Sequence, residues 1–126
     1  MTTLYRDDYV CIGLTSDGAL HLSPVAAGCG ILEWCGSPNT PLIDQYQQLR
    51  RRVDDTFTQL CTVYNRTGNR KALMIGHRLI DVLGGASRAM LISLVDSGYA
   101  SDIDQAWDRL CTEKAEGYRL VGRIND

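Results

Sequence analysis

Between Arg70 and Asp96 apolar residues recur at helical spacing: Ala72, Ile75, Leu79, Val82, Leu83, Ala86 and Met90. At ~100° of rotation per residue they share one side of an α-helix. Arg70, His77, Asp81 and Arg88, with Gly84 between the last two, fall within about a quarter turn of one another on the opposite side. One side can build a core while the other presents charge, and a segment so divided is an amphipathic helix with a candidate anion site on its outer face.

A second helix precedes it. Thr40 reads as an N-cap with Pro41 at the first helical position. Leu42, Tyr46, Leu49, Val53, Thr56, Leu60 and Val63 then recur at alternating spacings of four and three, with Phe57 beside the one polar member. A period near 3.5 suits a helix packed lengthwise on another helix, so Leu49 and Leu60 are expected to be buried against it. Asn65–Asn69 forms the turn, with Gly68 available for the left-handed residue that closes a helix. The result is an antiparallel helical hairpin over 41–96. Inside its second arm, Gly84 and Gly85 together cost about 2 kcal/mol of helix propensity relative to alanines. They therefore need a reason, either a kink or a neighbour or ligand too close for a Cβ.

The flanks complete the fold class. Tyr9–Ser23 alternates on both sides of Asp17-Gly18, the pattern of a β-hairpin. Gly28–Gly36 reads as a third short strand between glycine breakers. After Ser97-Gly98, Ser101 as N-cap with Asp102 and Asp104 in the first turn opens a third helix over 101–117, whose apolar side is Ile103, Ala106, Trp107, Leu110 and Cys111. Tyr118–Ile124 alternates as a candidate last strand. The expected fold is α+β in one domain, 1–126: a small antiparallel sheet in a β-rich part over 1–38, the hairpin, then the third helix. At 126 residues the chain is long enough for one core without staples.

Composition excludes several classes. Hydrophobic content of 44% and charged content of 22% are those of a soluble globular protein. No apolar run approaches the ~18 residues of a membrane span, and Met1–Asp8 does not read as a secretory leader, so a cytoplasmic location is expected. Five cysteines, Cys11, Cys29, Cys35, Cys61 and Cys111, form no C-x-x-C pair and read as reduced, buried thiols acting as small hydrophobes. A net charge of −2 opposes general nucleic-acid binding. The distribution is uneven, because residues 56–95 set Arg66, Arg70, Lys71, Arg78 and Arg88 against Asp81 alone.

Catalytic and metal patterns do not explain that cluster. A Cys-His nucleophile would need His21 or His77 beside a thiol. His77 and Asp81 at i, i+4 supply two metal ligands at most and read as a helix salt bridge. Gly28-Cys29-Gly30 and Gly84-Gly85 match neither phosphate-loop pattern. The expected function is therefore a non-enzymatic, homo-oligomeric binder of a small anionic ligand, without metal or membrane. Its site residues are Arg70, Lys71, His77, Arg78, Asp81, Gly84 and Arg88. Should two hairpins meet across a symmetry axis, Arg70, His77 and Arg88 of both chains line one pocket. The rival is an inhibitor or adaptor that binds a host protein around Trp34; a Cys-His enzyme comes third. The plainest alternative is a solvated helix face.

Strands within 9–36 followed by a helical hairpin over 41–96 resemble, in architecture, the phage proteins that sequester cyclic nucleotide signals of bacterial immunity, the anti-Thoeris and anti-CBASS sponges with their shared hairpin domain. The resemblance implies no cofactor, an oligomer, and a nucleotide phosphate met by arginine at the hairpin. The third helix falls outside that pattern.

Overall fold

The computed structural model describes residues 1–112, so the expected strand over Tyr118–Ile124 and the end of the expected third helix lie outside the described residues. Four strands, β1 (Thr2–Arg6), β2 (Val10–Leu14), β3 (Leu20–Pro24) and β4 (Trp34–Cys35), pair antiparallel in chain order as a meander. Three helices follow, α1 (Leu42–Thr67), α2 (Arg70–Asp96) and α3 (Ile103–Thr112), and the fold is α+β.

The hairpin expected around Asp17-Gly18 is β2–β3, in register from Val10 opposite Pro24 to Leu14 opposite Leu20. Its turn is wider than a two-residue loop. Thr15 N–H donates to the Ala19 carbonyl (2.8 Å), and the Thr15 hydroxyl accepts from Ala19 N–H (2.8 Å). β1 was not anticipated: its residues are almost all exposed, so no inside–outside alternation marks it, and its pairing with β2 is bulged between Thr3 and Tyr5. The third strand expected over Gly28–Gly36 shrinks to Trp34–Cys35, because Gly28 (φ 70°) and Gly30 (φ 81°) adopt left-handed backbone that no strand contains.

The helical boundaries carry two corrections. Pro41, not Thr40, is the N-cap of α1, where extended backbone (ψ 142°) aims its carbonyl at Asp44 and Gln45 N–H (3.0 and 3.1 Å). Likewise Asp102, not Ser101, caps α3, its carboxylate accepting from Gln105 N–H at 2.8 Å. Ser101 N–H and hydroxyl instead donate to the Gln105 side chain. The hairpin turn is tighter than expected. α1 continues to Thr67, left-handed Gly68 (φ 70°) closes it through a 2.8 Å bond to the Tyr64 carbonyl, and Asn69 caps α2 by accepting from Lys71 N–H.

α2 lies between two partners. On one flank Gly76 meets Phe57 and Leu60 of α1, and Ser87 donates to the Tyr46 hydroxyl (2.9 Å), so the two helices run antiparallel. On the other flank Gly85 meets Tyr5 of β1. Ala72, Ile75, Leu79, Val82, Leu83, Ala86 and Met90 are all buried, as are Leu49 and Leu60. Val63 is not, because it borders an open cavity of about 200 Å³ at the hairpin turn. On α3, Ala106 and Leu110 are buried, while Cys111 is exposed and Trp107 meets Tyr46 edge-on (5.7 Å between centroids).

Gln45 is the buried polar residue that ties these layers together. Its Oε1 accepts from Leu20 N–H (2.9 Å), and its Nε2 donates to the Gly18 and Thr40 carbonyls (3.0 and 2.9 Å). It thereby joins α1 to the β2–β3 turn and to the segment leading into α1. Gln45→Leu conserves the volume but strands two buried backbone groups and the part-buried Thr40 carbonyl, so it should cost about 3 kcal/mol in urea denaturation. A loss under ~0.5 kcal/mol would contradict this role.

Candidate anion-binding face of α2

Because the core fixes α2's inner side, the five residues Arg70, His77, Asp81, Gly84 and Arg88 are all turned to solvent, as their spacing predicts. The sequence-predicted set does not stay together, however. Lys71 stands roughly a quarter turn away and lines the cavity at the hairpin turn with Gly28, Cys29 and Asn69. Arg78 turns the same way toward the sheet. It forms a 3.7 Å ion pair with Asp7, whose carboxylate also caps the β1–β2 turn by accepting from Tyr9 and Val10 N–H, and its guanidinium carbon stands 5.9 Å from the centre of the Tyr9 ring. Arg78 is thus a structural fastener of α2 to the sheet.

Among the described residues Arg70, Asp81 and Arg88 form no ion pair, and the expected His77–Asp81 salt bridge is not made. His77 instead packs edge-on against Phe57 of α1, with centroids 5.4 Å apart. An exposed guanidinium offers five donors in a planar fork suited to phosphate or carboxylate oxygens. Arg70 and Arg88 are 18 positions apart, about 27 Å along the helix axis, so one chain cannot close both around one small ligand.

Sequence reasoning missed Met74. It is 38% exposed and, inserted into the stripe, gives Arg70, Met74, His77, Asp81, Gly84 and Arg88 at spacings of four, three, four, three and four. That heptad signal was present in the sequence but hidden by its mixed polarity.

The two glycines have different explanations. A Cβ on Gly85 would lie 2.5 to 2.8 Å from the Tyr5 ring, whereas one on Gly84 would meet nothing within 4 Å. The close neighbour inferred from the glycine pair is therefore β1, at Gly85.

The other candidate chemistries are dispersed. His21 is held by Glu33, with Nε2 and Oε1 2.9 Å apart, and although Cys35 is its cross-strand partner, the Cys35 thiol donates to the Gly36 carbonyl. Of the five free cysteines only Cys11 and Cys29 are buried; Cys35 and Cys111 are exposed and Cys61 is half-buried, so reading all five as core thiols fails. Trp34 is half-buried and packs against the core. Among the described residues there is no cluster of His, Cys, Asp or Glu fit to hold a metal, and no helix is long and apolar enough to cross a membrane. No family model, curated protein or solved structure matches the chain.

The glycine contrast is measurable. For the monomer, Gly84→Ala should stabilise by up to about 1 kcal/mol through helix propensity alone. Gly85→Ala should destabilise, because the same gain is outweighed by displacement of Tyr5. Equal melting shifts for the two variants would contradict the assignment.

Proposed function

We propose that the protein binds a small anionic ligand of the nucleotide class on the outer face of α2 and does so as a homo-oligomer. The observation that carries this reading is the pair of solvent-facing guanidiniums, Arg70 and Arg88. The fold gives neither an ion-pair partner among the described residues, although it spends Asp7 on Arg78 of the same helix. Their separation supports the oligomer, since a second chain supplies what one chain cannot bring together. The resemblance in element order to the cyclic-nucleotide sponges points to the same ligand class.

Isothermal titration with pyrophosphate and with a cyclic dinucleotide tests the reading. Arg70→Ala and Arg88→Ala should each weaken binding by about 1.5 to 3 kcal/mol, roughly 10- to 150-fold, and lysine should rescue only in part because it lacks the fork. Arg78→Ala should leave affinity unchanged and lower stability by at most about 1 kcal/mol, as expected for a largely exposed pair. Wild-type affinity in both the Arg70 and Arg88 variants would contradict the proposal.

A further inference from the structure

The six residues on the solvent face of α2, Arg70, Met74, His77, Asp81, Gly84 and Arg88, are spaced four, three, four, three and four, a series that reads the same from either end. A period of 3.5 is the one that lets two helices lie along each other over several turns. Laying a second copy antiparallel, about a twofold axis that crosses α2 at the level of Leu79, superimposes the ladder on itself. Isologous pairing of this kind is the commonest symmetry of soluble oligomers.

The chemistry of the superimposed positions is complementary. His77 stands opposite the second copy's Asp81, and Asp81 opposite its His77, so the centre carries two hydrogen-bonded acid–base pairs. Met74, exposed in the single chain, stands opposite Gly84, where a Cβ would meet nothing within 4 Å and a thioether therefore has room. At each end Arg70 stands opposite Arg88. Those two guanidiniums repel unless an anion lies between them, and a ligand that bridges them favours the assembled form by mass action.

We infer that two copies of this chain pair through their α2 faces in this antiparallel arrangement, with a phosphate-class anion bridging Arg70 of one copy and Arg88 of the other at both ends. The bridged ends rest on the anion-binding reading above; the central pairs do not. The assembly holds two identical anion sites, and the ladder's polarity makes dimerisation depend on ligand.

Sedimentation velocity with and without inorganic pyrophosphate tests the pairing. The wild type should dimerise at least tenfold more tightly with pyrophosphate. His77→Asp alone sets two carboxylates against each other, and Asp81→Lys alone removes the acceptor of the central pairs and sets an ammonium donor against the imidazole, so each should be monomeric. Mixed in equal amounts they should recover a heterodimer, because each supplies the charge the other lacks. An effect confined to one helix cannot be restored by mixing. Gly84→Leu, whose side chain enters open space in the single chain, should raise the monomer's melting temperature as Gly84→Ala does and abolish the dimer by filling the seat of Met74. A wild type that stays monomeric at several hundred micromolar with pyrophosphate, or mixed variants that do not associate, would overturn the inference. Pyrophosphate bound by monomers with the Arg70 and Arg88 dependence would overturn the dimer and the oligomeric part of the proposed function, and leave anion binding by the two arginines intact. Dimerisation indifferent to pyrophosphate would overturn the bridged ends, and titration of the same sample would then show whether the two arginines still bind the anion.

Discussion

The structure depends on the burial of α2's inner face. Leu79, Val82, Met90 and Leu94 are at most 2% exposed, and each buried side chain of this size contributes about 1.5 to 3 kcal/mol. Val10, Ile12, Leu20 and Leu22 of the sheet and Leu49 and Val53 of α1 are buried in the same core. With α1 against one flank and the sheet against the other, α2 cannot rotate without exposing core. Its remaining strip, from Arg70 to Arg88, is thereby aimed at solvent as a consequence of packing, and any ligand or partner meets a preset array.

Close approaches set the distances between layers. Gly76 admits Phe57, and Gly85 admits Tyr5, each at a point where a Cβ would crowd the neighbouring ring. Gly36 serves the same purpose for Gln45, whose side chain occupies the space a Cβ would take. These contacts bring β1, β4 and α1 close enough that the backbone groups around Leu20 and Gly18 find partners in one amide rather than in water. Arg78 with Asp7 adds an ionic fastener at the edge.

Much of this was legible in the sequence where one physical period dominated. The bounds of α2 and its two faces follow from apolar residues at helical spacing, and the β2–β3 hairpin from alternation around Asp17-Gly18. What stayed hidden depends on tertiary context. β1 is an exposed edge strand whose pairing with β2 is bulged and whose Tyr5 packs on a glycine 80 positions away, Gly85, so no local pattern marks it. Gln45 looks like any surface residue of an amphipathic helix until the β2–β3 turn arrives to satisfy it. Of the candidate site, the stripe was legible as one face and helical spacing sets Arg78 and Lys71 off it, but what those two meet was not legible. A partner such as Asp7 is set by the fold, and the cavity beside Lys71 by the left-handed turn of Gly28 and Gly30.

The central claim, that α2's outer strip is a ligand site and not merely a solvated face, is tested most directly by the thermal stability of the wild-type protein across a panel of phosphate-bearing anions at fixed ionic strength. A ligand present at 100 times its Kd adds about 2.7 kcal/mol of stability, a melting shift of several degrees for a domain of this size. The account predicts such a shift for at least one nucleotide-class member of the panel and none for chloride at equal ionic strength. A flat profile across the panel would contradict it and leave Arg70 and Arg88 as solvated charges.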